Sequence, residues 1–170
     1  PFELVQRWEE EADVVTAIIT AMAAPTQPLG DYRTAGLKRV LKAVWDQRAQ
    51  QMTVDNIADA LLGDADPRIQ DVGRQLFSFT SAGEYGRFFN GGNSITFSNQ
   101  LVVLELEELK SRRHLQQVVL LQLIYQIQQA MYLGPRGQQK LVVIDEAWDL
   151  LTNGDVGRFI ESGYRRFRKY

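Results

Sequence analysis

Two short runs of aliphatic residues, separated by a long helical pattern, constrain the fold of this 170-residue chain most strongly. The first run spans residues 101–106 and the second spans residues 140–144. Nearly continuous apolar runs of this length are typical of strands covered on both faces. Between them, residues 115–133 carry apolar side chains around most of a helix, which predicts packing on more than one side. The order strand, helix, strand predicts a right-handed parallel crossover and an α/β fold.

The first half of the chain follows a different pattern. Its apolar residues recur at helical spacing up to about Phe89, so we expect this half to be helical. A turn signal at residues 90–93 and a short predicted strand at 94–98 then mark the change of pattern. Helix-breaking residues divide the helical half at 25–30, at 63–67 and at Gly83.

Two helix boundaries can be predicted from capping residues. Thr53 with Asn56 favours the start of a short helix, and Gly63 is expected to close it. Asp66 followed by Pro67 is typical of a capping residue and the first helical position, so the next helix should begin there.

The composition narrows the classes of function. With 45% hydrophobic and 24% charged residues, the chain has the composition of a globular domain. Lys and Arg number 19 against 21 Asp and Glu, a net charge of −2, so nucleic-acid binding would need a local basic patch. The absence of cysteine excludes disulfides, thiolate metal sites and cysteine nucleophiles.

A few further residues have simple interpretations. The single histidine, His114, argues against a histidine metal site and is interpreted as a surface or capping residue. Trp8, Trp45 and Trp148 lie in helical apolar patterns and are interpreted as packing residues, with a place at the edge of a site left open for Trp148. Residues 14–25 are too short and interrupted for a membrane span and follow three glutamates, so we expect no targeting segment.

Two acids, Asp145 and Glu146, end the second aliphatic run. A buried strand would hold the first carboxylate at the carboxyl edge of the sheet, where parallel sheets bind ligands. Asp145 could then hold Mg2+ through water, and Glu146 could polarise the water that attacks a γ-phosphate. Carboxylates also cap helix amino termini, so the residues alone leave a capping role open.

The run Asp-Glu-Ala-Trp-Asp-Leu-Leu at 145–151 and the basic segment 163–170 resemble the TraC family of conjugative-transfer ATPases, which belong to the type IV secretion system ATPases. Residues 86–91 and the run 101–109 are similar to it as well, and the resemblance extends from about Gly36 onward. It implies a fragment of a RecA-like P-loop NTPase domain. Residues 1–92 would be a mainly helical insertion, and residues 93–170 a partial nucleotide-binding core.

The resemblance also implies a function. The parent protein would hydrolyse ATP with Mg2+, with Asp145 on the metal and Glu146 as the base, to power conjugative DNA transfer and pilus assembly. It would form a hexamer or other oligomer at the cytoplasmic face of the bacterial inner membrane and contact secretion-channel and coupling subunits. The alternative is a non-catalytic helical module that contacts channel subunits or neighbouring protomers.

The last segment, residues 158–169, places its basic residues opposite an apolar arc at helical spacing. A solvated charged face and a polyanion-binding stripe are two interpretations. The resemblance implies a third, in which Arg165 or Arg168 stabilises phosphoryl-transfer charge in the next subunit.

A phosphate-binding loop of the Gly-Lys-Ser/Thr type is missing, because no Gly-Lys dipeptide occurs in the sequence. The resemblance places that loop upstream of Pro1. We therefore expect the chain alone not to turn over ATP.

Overall fold

The structure is a computed structural model that describes residues 2, 3, 5–92, 99, 101–133, 141–143 and 145. The chain divides into two compact units, Pro1–Ser94 and Ile95–Tyr170. No helix among the described residues is long and apolar enough to cross a membrane.

The first unit is helical, as the apolar spacing predicts. It contains five α-helices, and short 3-10 helices follow α2 and α4, at Ala49–Gln51 and Phe77–Phe79. The predicted breaks at 25–30 and at 63–67 each separate two helices and end at the first residue of the second one, and Gly83 also lies between helices. The five helices are α1 Trp8–Ala23, α2 Gly30–Arg48, α3 Val54–Leu62, α4 Pro67–Gln75 and α5 Gly86–Phe89.

Both predicted caps are confirmed. The Asn56 backbone N–H donates to Thr53 Oγ1, and the Thr53 backbone N–H donates to Asn56 Oδ1, each at 3.2 Å. This reciprocal capping box satisfies two donors at the start of α3 that no helical carbonyl can reach. Asp66 accepts a hydrogen bond of 2.9 Å from the Arg68 backbone N–H, with Pro67 at the first position of α4.

Helices α3 and α4 pack closely because a glycine lies at their crossing. A Cβ added at Gly73 would stand 3.0 Å from Leu61 Cβ and 3.1 Å from the Ala58 carbonyl oxygen. Helices α1 and α2 complete the core of this unit, and Trp8 stacks on Trp45 between them. Fully buried core side chains include Ile18, Ile19, Met22, Leu37, Leu41, Ile57, Leu61, Ile69, Leu76 and Phe79.

The second unit contains a 3-10 helix at Glu107–Leu109 and a long helix, α6, at Arg113–Leu133. This confirms the predicted helix over 115–133. Helix α6 buries side chains on more than one side, as predicted. The buried positions are Leu115, Val118, Leu120, Leu121, Gln122, Leu123, Ile124, Tyr125 and Gln126.

The strands predicted on either side of α6 are not present in the described residues. Residues 101–106 and 141–143 belong to no helix or strand, and Leu101 and Leu141 are 79% and 87% exposed. The described residues therefore do not confirm the strands predicted for these runs. A buried strand needs a hydrogen-bonded neighbour, and neither run has one in this part of the chain. The strand predicted at 94–98 lies outside the described residues.

Candidate functional site

Of the predicted site residues, the structure describes Asp145. It lies in a turn that follows Leu141 and Val143, both exposed, and the Asp145 side chain is exposed as well. Glu146, Arg165 and Arg168 lie outside the described residues. An accessible carboxylate thus follows an aliphatic run. The sheet edge that was expected to hold this carboxylate is not present in the described residues.

The chemistry of Asp145 suits a magnesium ion. Mg2+ prefers carboxylate oxygens and commonly keeps several waters, so one accessible protein carboxylate is a suitable ligand. Within the described residues, no group of three or more His, Asp or Glu side chains could hold a metal ion.

A second candidate site lies in the first unit, in a cleft of about 640 Å³ between α3, α4 and the loop that follows α4. We name it the α3–α4 cleft. Gly73 lies where the two helices approach most closely. The lining residues that matter most are Asp55, Asp59 and Leu62 from α3, Gly73 and Arg74 from α4, and Phe77.

The loop beside this cleft is held by its own hydrogen bonds. The Ser81 backbone N–H donates to Asp55 Oδ1 at 2.7 Å, which ties the loop to α3. Thr80 Oγ1 donates to the Phe77 carbonyl at 2.8 Å, and the Tyr85 backbone N–H donates to the Ser78 carbonyl at 2.8 Å. The cleft wall is thus fixed before any ligand arrives.

A cluster of Tyr32, Asp66 and Arg68 joins α2 to the start of α4. Arg68 donates to Asp66 from Nε at 3.1 Å and from a terminal nitrogen at 2.8 Å, and its guanidinium lies 3.9 Å from the centre of the Tyr32 ring. The Tyr32 hydroxyl donates to Asp66 Oδ2, the same oxygen that accepts from the terminal nitrogen of Arg68. These hydrogen bonds, from Arg68 first and Tyr32 second, hold the pKa of Asp66 well below its usual value. The same bond to Asp66 raises the pKa of Tyr32.

Asp64 extends this cluster toward α2. It accepts a hydrogen bond of 3.0 Å from the Asp66 backbone N–H and forms an ion pair with Arg39. The backbone hydrogen bond first, and Arg39 second, lower the pKa of Asp64. Because each acid here has a partner within the chain, we interpret the cluster as structural.

Comparison with known proteins places the chain in a class. The TraG P-loop domain family matches residues 34–170, most of the chain. The chain therefore belongs to this family of P-loop domains and is a member of the conjugative-transfer ATPase family, which confirms the resemblance found in the sequence.

The chain is also similar to a particular protein, Protein TraC of Escherichia coli strain K12. The two are 32% identical over an alignment of 184 residues that covers 100% of this chain and 21% of TraC. The chain thus spans about a fifth of that relative's length. No solved structure matches the chain.

The family match and the sequence differ in one instructive way. The matched residues belong to a P-loop domain family, yet they contain no Gly-Lys dipeptide. The sequence prediction also missed the α3–α4 cleft. Leu62 and Phe77 fit helical apolar patterns, and which of those positions remain exposed depends on how the helices pack.

Proposed function

We propose that this chain is part of an ATPase that powers conjugative DNA transfer and pilus assembly through a type IV secretion system. The observation that carries the proposal is the match to a P-loop domain family over residues 34–170. The similarity to TraC across the whole chain supports it, and so does the position of Asp145 after an aliphatic run.

The chemistry of ATP hydrolysis assigns roles to two adjacent acids. Asp145 would bind the magnesium ion, either directly or through water, with the Asp145 carboxylate as the protein ligand. When bound, Mg2+ would neutralise negative charge on the β- and γ-phosphates. Glu146 would accept a proton from the attacking water and orient that water toward the γ-phosphate.

The proposed architecture follows the family. Residues 93–170 would form part of a RecA-like nucleotide-binding core, with the aliphatic runs as strands of its parallel sheet. Residues 1–92 would form a helical insertion in that core. The exposed Leu101, Val103, Leu141 and Val143 support this assignment, since a sheet needs further strands to cover such residues.

The proposed working state is an oligomer, a hexamer in the parent protein, at the cytoplasmic face of the bacterial inner membrane. Its partners would be the channel and coupling subunits of the secretion system. Arg165 or Arg168 would stabilise phosphoryl-transfer charge in the neighbouring subunit. The net charge of −2 gives no support for strong direct binding of nucleic acid.

The first test is steady-state ATP hydrolysis by the chain itself and by a longer polypeptide that contains it together with a phosphate-binding loop. We expect no turnover from the chain alone and Mg2+-dependent turnover from the longer polypeptide. Glu146→Gln keeps the size of the side chain but removes the base, so it should abolish turnover and preserve ATP binding.

Glu161→Gln is the matched control, because it makes the same chemical change in the same region and should leave turnover unchanged. If the longer polypeptide neither binds nor hydrolyses ATP, the ATPase assignment is wrong. The working account then becomes a non-catalytic helical module in which Asp145 and Glu146 have a capping role.

A further inference from the structure

The α3–α4 cleft contains none of the residues proposed for ATP hydrolysis, and it combines exposed apolar side chains with an accessible carboxylate. We propose that it is a docking site for a partner protein, which inserts a basic amphipathic helix whose large apolar side chains are flanked by lysine or arginine. This inference concerns the first unit alone and does not depend on nucleotide chemistry.

The apolar part of the cleft is made by Leu62 and Phe77, which are 43% and 60% exposed although most large apolar residues of this unit are buried. Both line the same cleft. Covering them would remove apolar surface from water, which favours binding. Exposed apolar groups gathered in one concave site are typical of places where another molecule binds.

The wall that carries Phe77 is already in place. The loop at 80–82 is tied to α3 through Asp55, and a Cβ at Gly83 would lie 2.0 Å from the Phe77 carbonyl oxygen, so the turn is tightly closed on itself. A fixed wall reduces the conformational entropy that a ligand must remove on binding. The cleft therefore has the pre-formed character of a binding site.

The charge of the cleft selects a cationic partner. Asp59 is exposed, and none of the described residues forms an ion pair with it. Arg74, the basic residue of the cleft, is already paired with Asp71 at 2.6 Å. Residues 1–94 contain nine Lys or Arg and thirteen Asp or Glu, a net charge of −4, so the surrounding field also attracts positive charge.

The shape of the cleft favours a helix over an extended segment. Asp55, Asp59 and Leu62 are spaced i, i+4 and i+7, so they form one stripe about 10 Å long on α3. An extended peptide would need backbone partners, and the walls from α3 and α4 have their own backbone groups bonded within helices. A helix satisfies its own backbone and can place apolar residues at i and i+4 along such a stripe.

The test uses the full chain and a labelled peptide of about 16 residues, with leucines at i, i+4 and i+8 and lysines on either side of that stripe. A second peptide carries glutamate in place of every lysine. Fluorescence anisotropy measures binding of each at low and at high salt. We expect saturable binding of the lysine peptide, weakened by salt, and little binding of the glutamate peptide.

Four variants locate the contact. Phe77→Ser should weaken binding about tenfold or more because it removes the apolar wall. Phe88 is also an exposed aromatic but lies outside the cleft, so Phe88→Ser should change binding less than about twofold. Asp59→Asn should weaken binding about two- to fivefold, the range of a surface ion pair, and Asp31→Asn should leave it unchanged. Circular dichroism checks that each variant keeps its helices.

Three results would overturn the proposal. The first is no saturable binding of the lysine peptide. The second is equal binding of the two peptides, or a loss of affinity for the lysine peptide that is equal in Phe77→Ser and Phe88→Ser. The third is a sedimentation result in which the chain self-associates, Phe77→Ser makes it monomeric and the lysine peptide does not compete with self-association. In that case the cleft binds a second copy of the chain.

Discussion

The indole rings of Trp8 and Trp45 stack with their centroids 5.2 Å apart and an angle of 22° between their planes. Trp8 is the first residue of α1 and Trp45 lies near the end of α2, so the pair joins opposite ends of the two helices. Stacked aromatic pairs add about 0.5–1.5 kcal/mol beyond the burial of their surface. The interpretation of both tryptophans as packing residues is confirmed.

Trp8→Ala should therefore destabilise the chain by about 3–5 kcal/mol, the usual cost of removing a buried aromatic side chain. Trp8 is only 8% exposed, so the change leaves a cavity between α1 and α2. Trp8→Phe keeps a ring and should cost less. Urea denaturation followed by circular dichroism measures both, with the exposed Phe88→Ala as a control. Equal losses for Trp8→Ala and Phe88→Ala would contradict the prediction.

Gly86 should tolerate no side chain. A Cβ there would stand 2.0 Å from the Thr80 carbonyl oxygen and 2.7 Å from the carbonyl carbon, and both are backbone atoms that cannot rotate away. We expect Gly86→Ala to cost about 1–3 kcal/mol, the range for overpacking.

Gly91→Ala is the matched control, because nothing lies within 4 Å of the position that its Cβ would occupy. Its effect should stay within about 0.5 kcal/mol. The comparison uses urea denaturation midpoints for both variants. Similar midpoints for the two would show that the loop opens to admit a methyl group at Gly86.

Much of the helical unit can be predicted from the sequence because its signals are local. The capping box at Thr53 and Asn56 and the start of α4 at Asp66 and Pro67 depend on residues within three positions of each other. The apolar spacing identifies α6 for the same reason, since a helix forms its backbone hydrogen bonds within its own segment.

The predicted strands and the α3–α4 cleft depend instead on contacts between residues that are far apart in the sequence. The run 101–106 has the composition of a buried strand, but a strand exists only when another strand pairs with it, and composition does not name that partner. The α3–α4 cleft depends on Ser81 meeting Asp55 across 26 positions. The predicted roles of Asp145, Glu146, Arg165 and Arg168 stay predictions.

The Asp66 cluster makes stability depend on pH. The pKa of Asp66 is lowered in the folded state, so its ionised carboxylate stabilises the fold at every pH above the usual aspartate pKa of about 3.9. This contribution to stability is lost as the pH falls from that value toward the lower pKa of the folded state. The stability difference between the wild type and Asp66→Asn should therefore be largest near neutral pH and shrink in acid. Urea denaturation from pH 7 to about pH 3 measures this difference.

Tyr32→Phe separates the contributions within this cluster. It removes the hydroxyl that donates to Asp66 and keeps the ring beneath Arg68. Since the bond from Arg68 is the larger cause of the lowered pKa, Tyr32→Phe should retain part of the pH dependence. A difference between wild type and Asp66→Asn that is the same at every pH would rule out this role for the carboxylate.

A mixing experiment on the longer polypeptide can identify which arginine acts between subunits. Arg165→Ala or Arg168→Ala would remove the charge that stabilises the transferring phosphoryl group, and an arginine in that role is worth about 10³-fold or more in turnover. Arg136→Ala, outside this segment, is the control and should keep full turnover.

An arginine variant retains Glu146, whereas Glu146→Gln retains both arginines. If the arginine acts on the neighbouring subunit, mixing the two inactive proteins creates composite sites with both groups, so ATP hydrolysis should rise above the sum of the separate activities. If mixing restores nothing while mixed oligomers form, the arginine acts within its own subunit or has no part in hydrolysis.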